Sequence, residues 1–545
     1  MVVSPDGHLD PVRTSVIDTL VDMGRPEGAT RAAPDTTAFA RSEVTRLLSI
    51  AAYLDHGFRG WVLAMLVRAR HRAVTPSLGF DAVTVLAHCL RARGVEREAE
   101  RRTTLAWGVA VGLVVVLVWR VVTVLASVVG GEDPGAEPVV LLLVMVALAV
   151  VLLAPHFMGR GTTYRALMRI RALILPQDSA RAHRERVLRI LTRELSEERF
   201  TGRAPKAAAE YRELLDTIGR EQHSPVVVYG AAAPFRGAGA PLQRWSLALE
   251  LSPAEDGERA AHELTARRII DLVRPQLESL TESAADDSRD RLGRLEIAEH
   301  VFLPAPLPYG QGRDALPVGP PGDPGVEWHL AEAVGEGGET RRHFLRIRIA
   351  GWEEQLVTTV FVRVHTQGRM LFLEVAPHVL FPLQDKFAIM GGIVQAATLG
   401  MDARREIAEY VRVPVRPKEL MRALKHEDDE TPDWSPEEWA LPPAASLREW
   451  TSSDELTLFQ AMDVIRYVKT VHLRISEGVK QALKEAGYQT EEFTAQAREQ
   501  IVNIGQGGVF IAGDVSGGAF ATGQGAHAQH GDSEGRPRPG SGEGK

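Results

Sequence analysis

The sequence predicts an α+β cytosolic domain with an antiparallel sheet, joined to a helical N-terminal unit and a two-helix transmembrane hairpin. Three observations carry this expectation. Two apolar runs, 105–129 and 138–158, each reach the roughly 20 residues that a helix needs to cross the hydrocarbon core of a bilayer. Residues 342–380 alternate between unequal faces with period two, as strands do. Residues 39–67 place Phe39, Val44, Leu47, Leu48, Ala51, Trp61, Leu63 and Leu66 mostly three or four apart, as one face of a helix requires.

Residues 1–36 read as a loose leader rich in Pro, Gly and Thr, without the basic and apolar regions of a cleavable signal. A helical cytosolic unit follows over 37–103. Its turn at 75–81 offers Ser77 or Asp81 as the cap of a helix through Val85, Leu86 and Leu90. His56, His71, His88 and Cys89 fall in this unit, but their spacing does not match a zinc site.

The hairpin occupies 104–158. Arg91, Arg93, Arg97, Arg101 and Arg102 precede it, and Arg160, Arg165, Arg169 and Arg171 follow it. The connecting loop holds Glu132, Asp133 and Glu137 and no Lys or Arg. Positive flanks stay in the cytoplasm, so both termini are expected inside and the acidic loop outside. Gly108 and Gly112 form GxxxG, the spacing that lets helix backbones approach closely, either within the hairpin or between subunits. Arg120 is the one charge inside the first run; it either snorkels towards the outer surface or meets a polar partner.

Basic juxtamembrane and stalk helices are expected over 159–223, with membrane lipids as a contact at their start. The α+β domain is assigned to 224–411. Its strands are VVVYG at 226–230, WSLALEL at 245–251, LEIAEHVFL at 295–303 and three more over 342–352, 355–366 and 369–380, the last two joined by a turn at Gln367 and Gly368. Helices are expected over about 257–280 and 385–411. An acidic, Pro-rich linker over 412–446 leads to a C-terminal helical region over 447–500, with SLREW followed by a fuller helix from about 454 towards 497. The Gly-rich tail, 501–545, contains two ten-residue units, 507–516 and 517–526, that share Gly at their first, second and seventh positions. Such units suit a free tail, docking on a sheet edge or stacking with identical chains.

The 545 residues carry a net charge of −8 and no basic soluble face, which argues against nucleic acid as a partner. With Cys89 alone, no intramolecular disulfide forms. There is no GxxxxGK[ST], HExxH or GxSxG motif. Gly230, Gly237 and Gly239 follow a strand, as phosphate-cradling glycines do, but their loop feeds another strand, so a tight strand connection is the expected role. Glu374, Asp385, Arg363 and His365 lie near strand ends without a spacing that demands catalysis. No catalytic residue, cofactor or metal is assigned.

VVVYGAAAPFRGAGAPLQRWSLALEL is similar to the strand–PFxGxG–x–WS–strand pattern of a family of uncharacterised actinobacterial membrane proteins. RHFLRIRIAGWEEQLVTTVFVRV, SLRE and the downstream Phe459, Gln460 and Asp463 resemble the same family, over most of 77–463. Arg236 departs from the pattern, standing where an apolar residue is expected. The resemblance implies the architecture and no activity. The expected function is a membrane-anchored cytosolic interaction or regulatory module, homo-oligomeric, with a protein partner of unknown kind. The alternatives are an enzyme with its site near the loop 230–241, and an oligomeric channel or transporter component built around Arg120.

Overall fold

The computed structural model describes residues 38–69, 72–129, 204–254, 262–282, 294–305, 318–334, 340–398 and 442–506, with positions 142, 145, 146, 149 and 292. The leader, the stalk over 159–203, the acidic linker to 441 and the tail from 507 lie outside the described residues. The second apolar run does too, apart from helical positions Leu142, Met145, Val146 and Ala149.

Three helices build the N-terminal unit: α1 (Glu43–Leu54), α2 (His56–Leu63) and α3 (Ala82–Val129). Ser42 caps α1 by accepting from Thr45 N, and Asp55 caps α2 by accepting from Phe58 N. Of the two caps offered for α3, the structure uses Asp81, which accepts from Val83 N and the Thr84 hydroxyl at 3.2 and 2.6 Å. Helix α3 is continuous for 48 residues. Its first turns are core, with Val83, Val85, Leu86 and Leu90 packed on α1, and its later turns are the apolar stretch Trp107–Ala126. No break separates the helical unit from the first apolar run. Helix α4 (Ala204–Glu221) packs back on α3, and Gln222 fixes the corner by bonding Asp81 and Ala82 N.

The sheet has seven strands: β1 (Val226–Tyr229), β2 (Ala240–Pro241), β3 (Trp245–Glu250), β4 (Leu295–Pro304), β5 (Arg342–Gly351), β6 (Leu356–Gln367) and β7 (Met370–Leu380). Its order is β1-β4-β5-β6-β7, with β2 and β3 both pairing β7 at the far edge. The three long strands fall within a residue of their expected bounds, and Gly368 and Arg369, both at positive φ, close the last hairpin. The sheet is mixed rather than antiparallel, because β1 runs parallel to β4 (Val226 opposite Val301). The chain returns to β1 only after crossing to the other edge and back, so direction is not set by a hairpin.

Each face has its own cover. Leu345, Ile347, Val360, Val362 and Leu373 pack under α5 (Ala266–Glu278) and the helical hairpin α9 (Leu458–Glu485) and α10 (Glu491–Gln506). The helix expected from 454 towards 497 is thus two helices that reverse at Ala486 and Gly487, and the region runs on to Gln506. A capping box between Thr457 and Gln460 starts α9, which places its first turn beyond the expected start. The opposite face carries Phe344 and Phe361 and is covered by Leu78 and the loop 230–241. Helix α6 (Pro324–Ala333) buries Val326 and Ala333 in one cluster with Val226 of β1 and Val301 of β4, and helix α7 (Asp385–Thr398) packs Phe387, Met390 and Val394 into the N-terminal unit.

Candidate functional site

Strand β1 lies at one edge of the sheet and β2 and β3 at the other. The loop 230–241 is therefore a crossing of the whole face and not the tight strand connection expected from sequence. Phe235 holds it down. Its ring centroid lies 5.4 Å from Phe302 on β4, 5.3 Å from Phe344 on β5, 4.5 Å from Phe361 on β6 and 5.0 Å from His378 on β7. Aromatic pairs of this kind contribute about 0.5–1.5 kcal/mol each beyond area burial. Past Phe235 the backbone enters positive φ at Gly237 (99°) and Gly239 (92°), which turns both amides to the same side.

Those amides meet a carboxyl from a distant segment. Gly237 N and Gly239 N donate to Glu449 Oε1 at 2.7 and 3.0 Å. Glu449 belongs to the short helix α8 (Leu447–Thr451), and every residue of its SLREW stretch has a task. Ser446 caps the helix by accepting from Glu449 N. Leu447 is buried with Leu383 and Phe387. Arg448 is buried and donates to the carbonyls of Gln355 and Phe381, at 2.7 and 2.6 Å, and to Ser452 Oγ at 2.7 Å. Trp450 stacks on Trp61 of α2, with centroids 4.4 Å apart and planes 12° apart. One turn of helix so ties together the crossing loop, the ends of β6 and β7, and the N-terminal unit. Burial pushes the Glu449 carboxyl above its usual range, against the pull of the Gly239 and Gly237 amides and Arg236. Oε1 accepts both bonds in either protonation state. The two amides that a ligand's phosphate or carboxylate would need are taken by this side chain, so the arrangement works as a latch.

Arg236, the departure from the apolar pattern, fits because its guanidinium leaves the loop and donates to Ala444 O at 2.6 Å. Beneath the loop is a cavity with room for about one water, lined in part by Phe235, Gly237, His300, Phe302, Arg346 and Phe361. His300 Nδ1 and Arg346 Nε, both buried, meet no hydrogen-bond partner among the described residues. Burial first, then Arg346, holds the His300 imidazole well below its usual range, so it is neutral. Burial also lowers Arg346 to about 10, opposed by Glu296 and reinforced by Arg348. Arg348, over the Phe39 ring, is held by Glu354 and by Glu296 at 3.0 Å.

Gly239→Ala is expected to destabilise the protein by about 2–4 kcal/mol, since it adds positive-φ strain and a backbone clash. A Cβ there would lie 2.1 Å from the Val379 carbonyl oxygen, whereas at Gly237 it would lie 3.0 Å from Pro76 O. Urea denaturation of the two alanine variants measures the ranking. A Gly239 variant as stable as the parent would show that the loop can lift off β7.

The sequence-selected residues are distributed widely. Gly108 and Gly112 lie on the apolar part of α3, where an added Cβ would meet nothing within 4 Å among the described residues. Arg120 lies 5.0 Å from the Trp119 ring centroid. Arg363 and Glu374 form a cross-strand pair at 3.4 Å, His365 stacks on Phe372, and Asp385 starts α7; they do not converge. Among the described residues no group of three or more His, Cys, Asp or Glu could hold a metal ion. His88 faces the Tyr53 hydroxyl, and His56 faces Glu96. Sequence reasoning missed Arg448 and Glu449 as working residues. Their signal was the SLRE run, which marked a resemblance but carried no chemistry until its partners were in place.

A family model described as AbeC-like domain matches residues 244–520, more than half of the chain. The match takes in β3 to α10, the SLRE helix and the start of the Gly-rich tail. No curated protein and no solved structure matches.

Proposed function

We propose that the chain, which belongs to the AbeC-like domain family, is a membrane-anchored interaction or regulatory module that holds its α+β body at the cytoplasmic surface as a homo-oligomer. The observation that carries this reading is α3. One end of this helix is buried core, and the other is the 20-residue stretch Trp107–Ala126, almost wholly exposed and long and apolar enough to cross a membrane. An exposed apolar surface of this size is costly in water. The Arg-rich flanks and the acidic residues Glu132, Asp133 and Glu137 support a two-span anchor with both termini inside, and the residues after it meet anionic lipid. The latch supports an interaction role over catalysis, because its donors are already engaged within the chain.

The full chain should stay with the membrane through alkaline carbonate extraction, and deletion of 104–158 should release it. Extraction of the full chain into the soluble fraction would remove the anchor reading. Because an added Cβ at Gly108 or Gly112 meets nothing within 4 Å among the described residues, Gly108→Ile with Gly112→Ile probes the helix contacts made beyond them, between copies or within the hairpin. A marked drop in crosslinked dimer is expected from that pair. Unchanged dimer yield would place the subunit contact elsewhere.

A further inference from the structure

The first turns of α9 show an apolar surface that nothing in the described fold covers. Leu458 is 71% exposed, Phe459 68% and Met462 56%. Trp352, 46% exposed, stands beside them, because its indole Nε1 donates to Asp463 Oδ2 at 3.1 Å. Trp352 is held there at a conformational cost: Trp352, Glu353 and Glu354 all have positive φ, at 53°, 57° and 69°. Three successive non-glycine residues in that region store of order 1–3 kcal/mol each, and such strain collects where a side chain must be presented.

We propose that this surface is the seat of the chain's own Gly-rich tail, residues 507–520. Helix α10 returns beside α9 from the reversal at Gly487, with Phe493 and Ala497 packed near Ala482 and Leu483. It passes β3, whose Trp245 touches His472 on α9. At 1.5 Å per residue, α9 spans about 42 Å and α10 about 24 Å, and Met462 lies about 6 Å inside the start of α9, so α10 ends roughly 12 Å short of Met462. About four extended residues cover that distance. Val509, Phe510 and Ile511 are the apolar residues that arrive there. The family match is an independent support, since it continues past the end of α10 at Gln506 to residue 520. That makes the start of the tail part of the shared unit. The area also favours the tail over a second copy. Four side chains fall well short of the ~800 Å² per partner of a standard interface, whereas a tether of a few residues supplies an effective concentration of about a millimolar. The inference does not depend on the membrane reading.

Cysteine pairs in the full chain test it. Cys89 is buried and its thiol is pushed up to about 12, so it stays silent under mild oxidation. Met462→Cys is combined in turn with Val509→Cys, Phe510→Cys and Ile511→Cys, each with and without Phe459→Asp. Phe459 is exposed, so the aspartate leaves the fold intact. The expected result is a disulfide within one chain for at least one pair, its yield falling several-fold with Phe459→Asp. A disulfide only between differently tagged chains would make a second copy the occupant. No disulfide, or a yield indifferent to Phe459→Asp, would leave the tail without a seat there. Each of these outcomes overturns the proposal.

Discussion

Arg448→Ala is expected to lower the unfolding free energy by about 2–4 kcal/mol, from a buried acceptor left unpaired and the cavity opened by the lost side chain. Arg448 is 0% exposed and has no carboxylate in contact; its three acceptors are two backbone carbonyls and a hydroxyl. Burial lowers its guanidinium to about 9, with Glu354 pulling the other way from a distance. Such a cation is expensive to bury, so its value lies in the groups it satisfies. Alanine removes the donor from the Gln355 carbonyl, leaves the Phe381 carbonyl to the Ser452 hydroxyl at 3.2 Å, and opens a cavity beside β6 and β7. Arg448→Met keeps most of the volume and removes the charge. Denaturant unfolding of both variants separates the effects. A methionine variant as stable as the parent would show that packing, and not hydrogen bonding, holds α8 down.

Acid should unfold the body well above the pH at which carboxylates protonate. Trp245 Nε1 donates to His472 Nε2 at 3.4 Å, so that nitrogen carries no proton, and His472 sits in the core under the sheet. Burial lowers His472 to about 4. Burial also lowers His378 to about 4, opposed by its bond to Ala376 O and aided by Arg244. In both cases the unfolded chain takes up a proton near 6.5 and the folded chain does not until about 4. Stability from these groups is therefore complete above pH 6.5 and is lost as pH falls towards 4, by about 3 kcal/mol for each histidine. A further loss begins at about 4.5, where the Glu299 carboxyl takes up its proton in the unfolded chain. Burial pushes Glu299 up, but His343 and Arg267 outweigh it and hold its carboxyl far below its usual value. Stability from that network is present above about 4.5 and falls as Glu299 protonates. His472→Gln keeps an acceptor for Trp245 and does not titrate, so it should flatten the upper part of the profile. An unchanged profile in that variant would show that His472 is not the group responsible.

The strands over 342–380 were legible because each pairs with its neighbour in sequence and buries one face against helices, so period two survives in the residues. The parallel pairing of β1 was not legible, since nothing in Val226, Val227 and Val228 tells which way the strand enters. The length of α3 was hidden by the Arg-rich stretch before residue 105, which marks a membrane flank in composition and leaves the helix unbroken. Asp81 was legible as a cap because capping is a local bond. Glu449 was not legible as the partner of Gly237 and Gly239, because more than two hundred residues separate them and only the crossing loop brings them together. Phe235 carried a readable hint, since an aromatic beside Pro in a glycine-rich loop needs a surface to lie on.

The unbroken course of α3 fixes a distance. Ala92 is its last core residue and Trp107 opens the apolar stretch. The fifteen steps from one to the other rise about 22 Å as a helix. With the proposed span in the bilayer, the body rides on a rigid post instead of a tether. From Glu96, where α3 still bonds His56 and Arg59 of α2, to Trp107 is about 16 Å of helix, about two Debye lengths at physiological salt. Lipid charge at the surface is then largely screened from the sheet and the latch by their distance along α3.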